Sequence, residues 1–143
     1  MFSFCTRMPS GTRSTVGAKF HIAHGRANAI LLPYVMSFNA GCATQLTDTA
    51  KRYAKIAYLC DISTVSVRQS ALNVIRTIRS WTKKMDIPPT IREAGVSEAD
   101  FRGKLPEMVE DALADGCLTT APRRCTGDDI RQVFENAYNG KLP

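Results

Sequence analysis

Apolar positions divide the 143 residues into a short opening stretch without period and a remainder that reads as successive helices. Residues 1–16 hold Pro9, Gly11 and several serines and threonines, and are expected to be irregular. The character changes in the stretch His21–Asn39. Ala27, Ala29, Ile30, Leu31 and Leu32 follow Gly25 as a segment apolar on nearly all sides, the pattern of a helix buried all round. Gly25 can supply a tight bend before it. Pro33 should kink or restart the helix, because it removes one intrahelical hydrogen bond, and Asn39-Ala-Gly41 reads as its stop.

A second helix is predicted from Thr47 or Asp48, either of which can cap it, with Ala50, Tyr53, Ile56 and Ala57 as its buried stripe. After Asp61-Ile-Ser-Thr, the clearest helix of the chain runs from about Val65 to Met85. Val67, Ala71, Val74, Ile75, Ile78 and Trp81 or Thr82 mark one face, and Arg68, Arg76, Arg79, Lys83 and Lys84 fall largely on the other. Pro88 and Pro89 end it by forcing extended backbone. Ser97-Glu-Ala-Asp100 opens a short turn through Phe101, and Leu105–Ala114 follows as a separate helix with Pro106 in its first turn. Residues 116–124 read as a loop. Thr126-Gly-Asp-Asp129 caps a last helix in which Ile130, Val133, Phe134 and Ala137 or Tyr138 point inward, and Gly140 stops it. With no strand pattern or repeat, the predicted class is all-α, a helical bundle.

Composition narrows this further. The length suits one domain with a real core, and 44% hydrophobic with 22% charged residues is a soluble globular balance. The longest apolar run, residues 27–35, contains Asn28 and Pro33 and falls far short of the ~20 residues a bilayer span needs. No membrane helix is expected. The first twenty residues carry Arg7, Arg13 and Lys19 with no acid, as transit peptides do, but lack leucines at helical spacing and a continuous apolar core. A cytoplasmic chain is the expectation. Five cysteines (Cys5, Cys42, Cys60, Cys117 and Cys125) without a C-x-x-C pair argue against a disulfide framework or a zinc ribbon. The net charge of +6 arises mainly in the first half, where Asp48 and Asp61 are the only acids before Asp86. That balance permits phosphate or nucleic-acid binding, but a recognition helix needs a tightly joined partner helix and polar side chains aimed at bases. A solvated basic face is the simpler reading of Arg68–Lys84.

His21 and His24 are the only histidines. On a helix their spacing would put both imidazoles on one face, where they could share a metal ion. Zinc or iron wants about four ligands, and no acid precedes Asp48. On composition alone a structural or surface histidine is the stronger reading. No P-loop or G-x-G-x-x-G is present, and Cys117 stands in no nucleophile elbow.

The stretch Gly17-Ala-Lys-Phe-His-Ile-Ala-His-Gly-Arg-Ala-Asn-Ala-Ile-Leu-Leu-Pro-Tyr-Val-Met-Ser-Phe-Asn39 resembles the signature of the iron-containing (group III) alcohol dehydrogenases. It is especially similar to the branch with bifunctional aldehyde–alcohol dehydrogenases and their His-Gly-x-x-Asn-Ala-x-Leu-Leu-Pro run. The likeness continues through Met85-Asp-Ile-Pro-Pro, Glu93-Ala-Gly-Val-Ser, Asp115-Gly-Cys-Leu-Thr-Thr-Ala-Pro-Arg123 and the segment from Asp129 to Tyr138, with Gly140 after it. It covers about residues 17–140.

This resemblance implies the later part of a C-terminal helical domain. The family's complete enzymes add an N-terminal α/β domain for NAD(P) and a metal, iron or sometimes zinc, held in the cleft by an Asp and three His. The last of those histidines precedes the Gly-x-x-Asn-Ala run and maps to His24; His21 falls at a position that is not a ligand. The preceding ligand position falls on Ser10, a neighbouring cleft histidine on Ser14, and the remaining two ligands lie upstream of the matched stretch. Ala121 stands where many members carry Asn, and Cys117 would lie near the cleft. A complete enzyme would move a hydride between a small alcohol or aldehyde and NAD(P), with the metal polarising the oxygen. For this chain the expectation is narrower: a non-family N-terminus over residues 1–16 and a partial metal-binding domain over 17–143, a truncated copy inactive alone. Neither the metal nor NAD(P) is expected to be bound by the chain unaided. One alternative is a non-catalytic helical fragment that associates with itself or a full-length relative through apolar surface near Ala27–Val35. A basic nucleic-acid-binding module is the remaining one.

Overall fold

Two apolar clusters joined by one long helix organise the fold. The computed structural model describes residues 16–115 and 121–143, and every regular element among them is helical. After a helical turn at 16–20 come α1 (His24–Ala40), α2 (Asp48–Leu59), α3 (Val67–Lys84), α4 (Glu98–Ala114) and α5 (Gly127–Asn139). The all-α class is as predicted. None of these helices is long and apolar enough to cross a membrane.

The near-uniform apolarity of α1 has a structural reason: it is packed from two sides. Ala27, Ile30, Leu31 and Tyr34 join a cluster with Ile91 of the 88–96 link, Phe101 and Met108 of α4, and Phe134 of α5. Met36 and Ala40 join a second cluster with Tyr53 and Ala57 of α2 and Ala71 and Ile75 of α3. The α2–α3 and α4–α5 pairs each pack internally, and each pair packs on α1. Polar contacts fix the link between them. The Tyr34 hydroxyl donates to the Pro89 carbonyl at 2.7 Å, the Ile91 amide donates to Ala137, and the Tyr138 ring stacks on Phe101 with centroids 4.3 Å apart.

Several expectations change here. α1 runs unbroken through Pro33, and α4 is one helix rather than a turn followed by a second helix starting at Leu105. The reason is the same in both. A proline in a helix interior costs about 3 kcal/mol, whereas Phe101, Leu105, Met108, Val109 and Ala112 form one continuous buried stripe along α4. Each large apolar side chain buried contributes about 1.5–3 kcal/mol. Continuity wins. Pro106 itself faces solvent.

The buried stripe of α2 omits Ile56, which is 38% exposed, and at the end of α3 the chain buries Thr82 and leaves Trp81 56% exposed. Arg68 is half-buried, not on a solvated face. Thr47 stands at the start of α2, but its hydroxyl donates to the Asn39 carbonyl instead of capping that helix. The apolar run Ala27–Val35, expected to be exposed and available for association, is covered: Ala27, Ile30, Leu31 and Pro33 through Val35 are buried. Cys42 is buried, which pushes its thiol above the usual range, while Cys60 is exposed at the end of α2.

Candidate functional site

The histidine-bearing segment begins in the helical turn at 16–20, which is fastened to α4. Lys19 pairs with Glu107 and, at 3.6 Å, with Asp111, while the Lys104 ammonium donates to the Lys19 carbonyl and lies over the Phe20 ring. The hydrogen bond to Glu107, before the attraction of both carboxylates, holds the Lys19 pKa above its ordinary value. From there the Ile22 amide donates back to the Gly17 carbonyl, closing the chain so tightly that a Cβ on Gly17 would lie 3.0 Å from the Ile22 oxygen.

The bend expected at Gly25 lies instead at His21, which takes a left-handed conformation with φ 54°. His24 is the first residue of α1, and Gly25 sits within its first turn. The two histidines therefore do not share a helical face. Both are exposed. The start of α1 has neither a side-chain cap nor an acid in its first turn, and the Arg26 and Ala27 amides are met by the Ala23 carbonyl, so no acid of the helix itself offsets the positive end of its dipole. His24 stands at this end. Behind it the helix is anchored by burial of Ala27, Ile30 and Leu31, and by Arg26, whose guanidinium donates to the Asp86 carbonyl at 3.2 Å.

One participant escaped the reading by residue type. Asn28, one turn after His24, keeps a buried side-chain oxygen with no hydrogen-bond partner among the described residues. Such an atom costs about 1–3 kcal/mol. The available signal was an amide set in an otherwise apolar helix, four residues beyond the histidine, which is the spacing that stacks side chains on one helical face.

These residues do not fit a metal ion by themselves. Among the described residues no three His, Cys, Asp or Glu side chains converge on a point, and His24 is a single donor. Ser10, Ser14 and Cys117, to which the resemblance assigns cleft positions, lie outside the described residues, while Ala121 is described and half-buried.

The structure thus defines a helical domain that presents one histidine from an uncapped helix start. Residues 12–138 match the profile of the "Fe-containing alcohol dehydrogenase family, C-terminal". The NADPH-dependent butanol dehydrogenase of Clostridium saccharobutylicum is 37% identical over 124 residues, 87% of this chain and 30% of that relative. The bifunctional aldehyde-alcohol dehydrogenase of Escherichia coli strain K12 is 34% identical over 139 residues, 88% of this chain and 15% of the relative. Among solved structures, a 1,3-propanediol oxidoreductase superposes with a TM-score of 0.75 at 29% identity, covering 91% of this chain and 32% of that one. An alcohol dehydrogenase from Oenococcus oeni does so at 0.75 and 26%, with the same coverage. The chain belongs to the Fe-containing alcohol dehydrogenase family, in its C-terminal region, and spans about a third or less of the length of these relatives.

Proposed function

We propose that this chain is a portion of the helical domain of a metal-dependent, NAD(P)-linked alcohol dehydrogenase, in which His24 supplies one metal ligand and the 143 residues alone do not turn over an alcohol. The observation that carries the reading is the placement of His24, exposed at the uncapped start of a helix whose next turns are locked in the core. A ligand in that position is held by packing behind it and open in front. Because one histidine cannot hold iron or zinc, which take about four donors, no catalytic step is assigned to the chain itself. Cleft-lining by Cys117, a small alcohol or aldehyde as substrate, and a cytoplasmic location belong to the same proposal. The odd cysteine count without a C-x-x-C pair is consistent with a reducing compartment.

Two measurements test it. The purified chain with ferrous or zinc ion should form no NADH from ethanol or propanediol; turnover above that of a His24→Ala control overturns the inactivity. In the converse arm, residues 17–143 replace the matching segment of the Clostridium saccharobutylicum butanol dehydrogenase. The chimera should bind metal and reduce butyraldehyde, and His24→Ala in it should lose metal by elemental analysis. A chimera that keeps its metal after that substitution removes His24 as a ligand. A second reading, association of a non-catalytic fragment with a full-length relative, finds support in the small share of the relatives' length that the chain spans, and co-purification of the two tests it.

A further inference from the structure

Buried polar atoms in a folded domain have partners almost without exception, and each exception needs a reason. Among the described residues the one buried side-chain oxygen or nitrogen without a hydrogen bond is Oδ1 of Asn28. Residues three and four apart share a helical face, with Cβ atoms about 5–6 Å from each other. On α1 that makes His24, Gly25, Leu31 and Leu32 the neighbours of Asn28, and of these side chains only His24 can donate a hydrogen bond. Counting from the histidine gives the same pair. Between Phe20 and Asn28 no side chain other than that of Asn28 offers a carbonyl oxygen. The backbone of the first helical turn offers the ring no acceptor either, because a helix start presents amides and directs its carbonyls down the helix.

We infer that Asn28 is a positioning residue for His24: its side-chain carbonyl accepts the Nδ1–H of the imidazole, which fixes one tautomer and turns the Nε2 lone pair out to solvent. A helical side chain leans over the turn before its own, which carries the Asn28 amide towards His24. His24 is exposed, and its ring makes no hydrogen bond among the described residues. As the first residue of α1 it also has no preceding helical turn to restrict χ1. Rotation of the ring closes the contact and gives the unpaired oxygen its donor. Nδ1 is the nitrogen nearer the backbone and so the one within reach of a side chain on the next turn. The bond made by one ring nitrogen decides what the other presents, and here the other is left as an outward acceptor. This orientation stands on the chain alone. Its use, a lone pair aimed at a metal ion, rests on the reading of His24 as a ligand, since a partner on the second nitrogen orients a ligating histidine and raises its basicity.

The test is the tautomer itself, read from long-range proton–nitrogen correlations of the 15N-labelled chain at about pH 8.5, roughly two units above the ordinary histidine pKa, where both rings are neutral. His21, exposed and outside the helix, is the internal reference. His24 should show mainly the Nδ1–H form, and His21 the Nε2–H form that an unrestrained imidazole favours. Asn28→Leu should return His24 to the pattern of His21 without lowering Tm, because it replaces an unpaired buried polar atom by an apolar group of similar shape. Asn28→Asp keeps an acceptor oxygen and should keep the Nδ1–H form. A merely structural asparagine gives the opposite result, a lower Tm with the tautomer unchanged. Rings that behave alike in the native chain, or a His24 pattern indifferent to Asn28→Leu, overturn the proposal. In the chimera with the Clostridium saccharobutylicum enzyme, Asn28→Leu should weaken zinc binding at least about tenfold in competition with a chelator. Undiminished zinc binding, in a chimera that does lose its metal with His24→Ala, overturns the positioning role. Metal retained after His24→Ala overturns the ligand reading instead, and the tautomer then decides the pairing of His24 with Asn28.

Discussion

The guanidinium of Arg68, on α3, donates to the carbonyl of Cys42 and, at 2.9 Å, to that of Thr44, with Gly41 also in reach, so that one side chain gathers the carbonyls just beyond the end of α1. The last carbonyls of α1 itself are met by the Gly41, Cys42 and Thr47 amides and the Thr47 hydroxyl, and the loop carbonyls that follow take Arg68. The donor arrives from a helix that begins over twenty residues later in sequence, joining the central helix to the α2–α3 pair.

Arg68→Met should therefore destabilise the chain by about 1–3 kcal/mol, the range for hydrogen bonds to a charged donor that is half-buried. Urea denaturation followed by circular dichroism measures this. Arg76→Met, at an exposed position on the same helix, is the control and should change stability by less than about 0.5 kcal/mol.

Two glycines of α1 should respond in opposite directions. Gly41 ends the helix with φ 67°, and a Cβ there would fall 2.0 Å from the Gln45 carbonyl oxygen. Gly41→Ala is expected to cost at least about 2 kcal/mol, combining left-handed strain with the clash. Gly25 is helical, exposed, and has nothing within 4 Å of where a Cβ would stand. Gly25→Ala should stabilise the isolated chain by about 0.4–1 kcal/mol. If instead Gly25→Ala lowers metal content in the chimera while raising stability here, the glycine serves close approach at the cleft.

Pro106 interrupts the hydrogen-bond ladder of α4 from a solvent-facing position. Pro106→Ala restores the missing amide without disturbing the buried stripe, and should raise stability by about 2–3 kcal/mol. A loss of stability on this change would show that the proline ring itself contributes to the packing of α4.

The start of α5 predicts a pH dependence. The Asp129 carboxylate accepts from the Thr126 backbone amide and hydroxyl, and Thr126 in turn accepts from the Asp129 amide. The backbone hydrogen bond, then the hydroxyl and the nearby Arg123, hold this carboxyl below its ordinary range. With the folded pKa depressed, the stabilisation is complete above the unfolded value near 4 and is lost as pH falls through the folded value. The difference in Tm between the native chain and Asp129→Asn should be constant near neutral pH and shrink below about pH 4. An unchanging difference down to acid pH would remove the carboxylate from the cap.

How much of this was legible in the sequence depends on the range of the interactions concerned. Thr126 and Asp129 form their reciprocal cap, and Gly41 and Gly140 close their helices in the left-handed region, because each outcome is set within a few residues. The motif around His24 was likewise local, and it carried the family. What the sequence could not weigh were contests between a local cost and a distant gain. Pro33 and Pro106 read as interruptions, and only the burial of their helices against other elements overrides them. Periodicity left Trp81 and Thr82 as alternatives, and the packing of α3 on α1 and α2 chose Thr82. The spacing of His21 and His24 suggested one helical face, but the left-handed backbone at His21 separates them. The excess of basic residues in the first half was visible by counting. That Lys19 of this half meets Glu107 and Asp111 of α4, and that Ala27, Ile30 and Leu31 pack with α4 and α5, follows from the packing of two helix pairs around α1, because burial acts between residues that the chain order keeps far apart.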